Sequence, residues 1–207
     1  MALNSPKDMS RFQRRRRLVV AGIIALVLMA LLTIRSAWLD DWAHEYIEDI
    51  GVGMIVLSIL GRMWCTLYIG GRKSAEIVRL GPYSISRNPL YVFSALGAAG
   101  IGMMTGSLIV GVALSLICYA AFHFVILAEE GYLERNFGET YISYKRAVPR
   151  FFPNLSIYRE SELLSVRASM LYKTLADGLV FFVSYPLLEF VEYLQSTHVL
   201  PVLLRLY

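Results

Sequence analysis

"TGSLIVGVALSLICYAAFHFVILAEE", residues 105–130, decides the architecture. From Ser107 to Ala128 it holds no Asp, Glu, Lys or Arg. At about 1.5 Å per helical residue such a run crosses the roughly 30 Å hydrocarbon layer of a bilayer. It ends on two adjacent carboxylates, Glu129 and Glu130, and it begins almost directly after another apolar run, Leu90 to Met104. With "TGS" at 105–107 as their connection, the two runs form a tight helical hairpin, and Gly97, Gly100 and Gly102 on the first arm let the backbones approach closely.

The rest of the 207-residue chain agrees, with 57 % hydrophobic and 17 % charged residues, outside the balance of a soluble domain. "LVVAGIIALVLMALLTI" at 18–34 and the run from Asp49 to Gly70 are two further spans. Arg14 to Arg17 precede the first like the charged region of a signal peptide, but the apolar core is too long for one and no small-x-small cleavage site follows. A weaker, acid-dotted run from Asp177 to Gln195 contains Pro186, Glu189 and Glu192, and it either crosses or lies in the interface. The expected fold is all-α: a polytopic membrane bundle with four core transmembrane helices, a fifth segment left open, and a cytoplasmic cap. It divides into a basic tail (1–17), a membrane core (18–155) and an amphipathic extension (156–207), with "FFPN" at 151–154 breaking the helical pattern at the boundary.

Basic residues orient the bundle. Arg11 and Arg14 to Arg17 in the tail, Arg72, Lys73, Arg79 and Arg87 after the second span, and Arg135, Lys145, Arg146 and Arg150 after the fourth all mark the cytoplasmic side, whereas the first loop, "RSAWLDDWAHEYIED", is mostly acidic. The expectation is an integral membrane protein with a cytoplasmic N-terminus, in a bacterial inner membrane given its compact size. The net charge of +4 reads as this orientation signal with some attraction to anionic lipid, and no nucleic-acid partner is expected. Cys65 and Cys118 sit in separate runs and the three histidines, 44, 123 and 198, are scattered, so the spacing shows neither a disulfide framework nor a metal centre. Oligomeric state is not fixed by the sequence.

The polar segments 70–89 and 129–159 therefore converge on one face. Glu129 and Glu130, neighbours on a helix, point about 100° apart and serve different partners. His123, between Phe122 and Phe124, lies seven residues before Glu130 and so on roughly the same side. An ionisable group there is either functional or a neutral histidine bonded to a neighbouring helix. Arg62 lies within snorkelling reach of the inner surface.

In order along the chain stand "GPYSISRNPLY" at 81–91, the hairpin, "EE" at 129–130 and "FGETYISYKRAVPRFFP" at 137–153. This set resembles the isoprenylcysteine carboxyl methyltransferase family and its phospholipid methyltransferase relatives, small membrane enzymes that use S-adenosylmethionine. Their pattern is GxYxxxRHPxY, a helical hairpin, an EE pair and FGxxYxxYxxxVPxxxP. The resemblance implies that Tyr83, Arg87, Asn88, Pro89 and Tyr91 form one half of a cofactor site and Glu129 and Glu130 the other. Arg87 would meet the cofactor carboxylate and the glutamates its hydroxyls or amine. Tyr141 and Tyr144 would line one side of the cap. Glu129, Glu130 and His123 are the candidate bases, while Arg146 and Arg150 are the groups beside the Val148–Pro149 pair that would orient a carboxylate acceptor. Two positions depart from the pattern: Asn88 stands where many members carry histidine and cannot titrate, and Ala147 stands where a basic residue commonly precedes the VP pair.

The activity implied is methyl transfer from S-adenosylmethionine to a lipophilic membrane substrate, either an isoprenylcysteine carboxylate or a lipid headgroup. Two alternatives remain: a non-catalytic membrane adaptor of the same fold, and an enzyme like the membrane sterol reductases, whose C-terminal part has a similar architecture and binds a reduced nicotinamide cofactor. The second would need a phosphate site of several basic residues, which "RNPLY" and "EE" do not supply.

Overall fold

The computed structural model describes residues 22, 27, 29–38, 41–70 and 76–207. The basic tail, most of the first expected span, Arg72 and Lys73 lie outside these residues.

Among the described residues the chain is a helical membrane bundle. Helix α1 (Trp42–Ile69) is followed by a single turn, α2 (Pro82–Ile85), then α3 (Pro89–Met103), α4 (Leu108–Phe137) and α5 (Glu139–Ala147). A short 3₁₀ turn, Leu155–Ile157, leads to α6 (Ala168–Leu179), which runs through a 3₁₀ turn, Val180–Val183, into α7 (Ser184–Ser196). Three helical segments, 42–69, 108–137 and 168–196, are long and apolar enough to cross a membrane. The last, the segment whose crossing the sequence leaves open, therefore has the length and apolarity to cross. The third expected span is shorter than the others, with 15 residues in α3, or about 22 Å at about 1.5 Å per residue. Pro89 fixes its start, and the Met104–Ser107 turn, with Gly106 at φ +66°, closes it.

Small residues hold α1, α3 and α4 together. A Cβ on Gly100 would stand 2.7 Å from Gly51 O, and one on Gly102 would stand 2.6 Å from the Cα of Gly111. Ser58 Oγ donates to Phe93 O across α1 and α3 at 2.6 Å, satisfying a hydroxyl that the membrane interior would otherwise leave unpaired. Outward-facing Leu57, Leu60, Val112, Leu116, Leu187 and Phe190 are exposed, as lipid-facing side chains are.

The two ends of the bundle are closed differently. At one end the 144–159 segment lies across "GPYSISRNP": Gly81 N donates to Arg159 O (2.7 Å), Arg87 N to Pro149 O (2.9 Å) and Asn154 N to Ile85 O (2.9 Å). Ser86 Oγ adds a bond to Phe151 O (3.0 Å) and Tyr144 OH one to Tyr83 O (2.7 Å). Gly81 is obligatory, since its φ is +58° and a Cβ there would overlap the Tyr68 ring. At the other end β1 (Ile34–Ser36) pairs in parallel with β2 (Leu204–Leu206). Ser36 Oγ donates to Gly106 O (2.8 Å), and the Gln195 amide donates to Leu32 O (3.0 Å) and Ile34 O (3.2 Å).

Candidate functional site

Thirty residues of continuous helix in α4 carry its last turns beyond the apolar stretch, so Glu129 and Glu130 emerge at the membrane boundary beside the start of α3. Pro89 opens α3 as a first-turn proline and leaves Asn88 just outside the helix with φ −128°. That geometry turns Asn88 and Arg87 inward, towards α4.

The result is a cavity of about 610 Å³ whose polar wall includes Tyr83, Arg87, Asn88, Tyr91, Glu129 and Glu130. Its apolar wall comes from Leu90, Phe124, Val125 and Leu133, and Tyr141 and Tyr144 close the cap side. Glu130 is 4 % exposed and is the hub. Asn88 Nδ2 donates to its Oε1 (3.2 Å) and to Arg150 O (3.1 Å). Arg150 Nε donates to Oε2 (3.1 Å), with Arg150 Nη2 2.9 Å from the same oxygen. Arg87 Nη1 stands 3.4 Å from Oε1. Glu129 turns the other way and accepts from Tyr91 OH (3.0 Å), so the adjacent carboxylates do serve different partners.

The residues named from the sequence separate into two groups. Tyr83, Arg87, Asn88, Tyr91, Glu129 and Glu130 share the cavity, and Arg150 reaches it through Glu130. Pro89 positions its neighbours from the first turn of α3. His123 is half-buried outside the lining, with its ring 5.9 Å from Tyr119 and 6.1 Å from Phe124. Arg146 is exposed on α5. Of the two arginines beside the VP pair, only Arg150 is turned to the carboxylates, because Val148 leaves the helix in an extended conformation and reverses the side-chain direction. Glu76, Ile77, Val78 and Tyr132 also line the cavity. They were not singled out from the sequence, and Tyr132 had a signal available, lying three residues after Glu129 on one helix face.

Two buried groups face the cavity with unused hydrogen-bonding capacity. Tyr83 OH, and Nε and Nη1 of Arg87, have no hydrogen-bond partner among the described residues. Nη1 is within ion-pair range of Glu130 but not aligned as a donor to it. Burial drives the Tyr83 phenol well above its ordinary range and pushes Tyr141 up to about 12, so both stay neutral donors at physiological pH. A ligand with a carboxylate and hydroxyls would satisfy these atoms.

The sequence model of phospholipid methyltransferases matches residues 18–140. This chain belongs to the phospholipid methyltransferase family. The family match takes in the expected first span, the hairpin and the glutamate pair. Among curated proteins, the chain is 37 % identical over 181 residues to the nickel-cobalt-cadmium resistance protein of Alcaligenes xylosoxydans xylosoxydans, covering 87 % of this chain and 84 % of the relative. It is 37 % identical over 176 residues to the cobalt-zinc-cadmium resistance protein of Cupriavidus metallidurans, covering 84 % of this chain and 81 % of the relative. A shorter similarity, 34 % over 81 residues, covers 39 % of this chain and 34 % of the protein-S-isoprenylcysteine O-methyltransferase of Schizosaccharomyces pombe. No solved structure matches.

Proposed function

We propose that this membrane protein of the phospholipid methyltransferase family is an S-adenosylmethionine-dependent methyltransferase acting on a lipophilic acceptor. The observation that carries the reading is the Arg87–Glu130–Arg150 cluster with Asn88, which ties "RNPLY" to "VPRFF" at the wall of a membrane-boundary cavity. S-adenosylmethionine, when bound, supplies an electrophilic methyl group on a sulfonium.

The residues around it have separate tasks. Arg87, with its unused donors, suits the cofactor carboxylate, and Tyr83 OH a hydroxyl. Glu129, which accepts from Tyr91, is a carboxylate of the cavity wall suited to a ribose hydroxyl or an amine. Glu130 has its oxygens engaged by Asn88, Arg87 and Arg150, so it orients Arg87 and does not serve as a base. Leu90, Phe124, Val125 and Leu133 form the side through which an acyl or prenyl tail would enter, and they keep water from the reacting atoms. An acceptor that arrives already nucleophilic fits this wall best, because neither histidine of the core helices, His44 or His123, lines it. Catalysis would then rest on positioning. On this reading the cavity faces the cytoplasm, where the cofactor is available, and the excess of Lys and Arg on the cap, Arg79, Arg87, Lys145, Arg146 and Arg150, supports that side. A bacterial inner membrane is part of the same proposal.

The names of the two relatives that match over most of their length set this activity in resistance to divalent metals. They also support a second reading, a non-catalytic membrane component of such a system. Calorimetric titration of detergent-purified protein with S-adenosylhomocysteine separates the two. Binding in the micromolar range that is lost in Arg87→Ala supports the methyltransferase. Folded protein without binding overturns it and leaves the second reading.

A further inference from the structure

The end of the bundle opposite the cavity contains a different group of side chains. His44 opens α1, where Glu48 follows one turn later on the same face, and Glu192 on α7 is brought against both. His44 Nε2 lies 3.1 Å from Glu48 Oε1 and 3.4 Å from Glu192 Oε1, and ligand atoms of the three residues all fall within 4.8 Å of one another. His44 is 7 % exposed.

We infer that His44, Glu48 and Glu192 form a binding site for a divalent transition-metal cation. The geometry fits that chemistry. Zinc-like ions bind imidazole nitrogen and carboxylate oxygen at about 2.0–2.2 Å, and a tetrahedron with bonds of that length has edges of about 3.4 Å. The two measured separations agree with such an edge. One imidazole nitrogen can give at most one hydrogen, yet two carboxylates from different helices converge on it, and a cation bonded to all three satisfies the set. One nitrogen with two oxygens suits cobalt, nickel or zinc better than magnesium or calcium, which favour oxygen alone.

The surroundings support a cation independently. Glu45, Asp49 and Glu189 join Glu48 around a cavity of about 560 Å³ beside the cluster, which provides an acidic access route. Among the described residues Arg35 is the cation near Glu192 besides His44, against the carboxylates of Glu45, Glu48, Asp49, Glu189 and Glu192 gathered here. The fold also holds the ligands in place. Gly106 packs so tightly on the imidazole that a Cβ would overlap Nδ1, while Gln195, one turn after Glu192, fastens α7 to the backbone at Leu32 and Ile34. His44 Nδ1 has no hydrogen-bond partner among the described residues, so the ring is set by packing and by what Nε2 meets. The sequence hid this site because Glu192 joins the His44–Glu48 pair only in the folded chain. It stands at the far end of α1 from Ile69, which lines the first cavity, and does not depend on the methyl-transfer reading.

The test is titration of untagged, detergent-purified full-length protein with Co²⁺, followed by ligand-field absorption in the visible and by equilibrium dialysis. The expected result is one Co²⁺ per chain at micromolar affinity, displaced by Zn²⁺ and unaffected by Mg²⁺. Glu48→Gln and Glu192→Gln, which keep shape, should each weaken binding by about tenfold or more, His44→Ala should abolish the visible bands, and His123→Ala should change nothing. Helical circular dichroism and thermal unfolding establish that each variant is folded. Absence of saturable binding to folded parent protein overturns the site, as does binding that the two glutamine variants leave intact.

Discussion

Arg150 holds Glu130 through two nitrogens, Nε at 3.1 Å and Nη2 at 2.9 Å from Oε2. This pair joins two sequence segments twenty residues apart, at the end of α4 and after α5, and Asn88 adds a third.

The partners of Glu130 differ in exposure, and that difference predicts an order of effects. The Arg87 side chain is 8 % exposed and the Arg150 side chain 38 %. Glu130→Gln leaves Arg87 buried without a counter-charge and should destabilise the folded protein by about 3 kcal/mol. Arg150→Ala leaves water to compensate and should cost about 1 kcal/mol or less. Denaturant unfolding in detergent measures both, and the reverse order would mean that Arg150 is the buried anchor.

Tyr83→Phe separates stability from binding. The hydroxyl is buried and has no hydrogen-bond partner among the described residues, so its removal should leave the unliganded protein unchanged or slightly more stable. The same change should weaken S-adenosylhomocysteine by about five- to tenfold, the equivalent of one hydrogen bond of about 1 kcal/mol. Loss of stability with affinity intact would remove Tyr83 from the cofactor wall.

Much of this site was legible because its chemistry is local in sequence. "RNP" sets Arg87 and Asn88 at a helix start, and "EE" at the end of a long apolar run must lie at the membrane boundary. What was not legible depends on direction and distance. Arg146 and Arg150 are equivalent by composition, yet the extended conformation at Val148 turns only one of them inward. His123 shares a heptad spacing with Glu130, but aromatic neighbours Tyr119 and Phe124 hold its ring outside the cavity. The clustering of His44 with Glu192, 148 positions apart, arises from the packing of α7 and carries no sequence period.

Alkaline pH should weaken the cap. Burial pushes Tyr141 up to about 12 from an ordinary value of 10.0, so the folded state favours the neutral phenol. The associated stability is fully present below pH 10 and is lost as pH rises from about 10 towards 12, a loss on the order of 1–2 kcal/mol once solvent screening is allowed for. Tyr83 and Tyr144, raised by burial as well, lose stability in the same direction. Unfolding followed across this window should show a steep fall, and Tyr141→Phe should flatten it. An unchanged slope would mean that the phenol is wet.

The hairpin itself can be tested through two glycines that differ in space. A Cβ on Gly102 would come within 2.6 Å of Gly111 Cα and 2.7 Å of Val110 O, both backbone atoms that cannot move aside independently. Gly102→Val should therefore splay α3 from α4 and destabilise by about 1–3 kcal/mol or more. Because Asn88 and Arg87 precede α3 while Glu129 and Glu130 ride on α4, the same splay should reduce S-adenosylhomocysteine affinity. Gly53, also in a membrane helix, has nothing within 4 Å of its Cβ position. Gly53→Ala should raise stability slightly, by about 0.5–1 kcal/mol, since alanine loses less backbone entropy in a helix, and should leave affinity unchanged. Equal effects of the two substitutions would show that the hairpin contact does not set the distance between the two halves of the site.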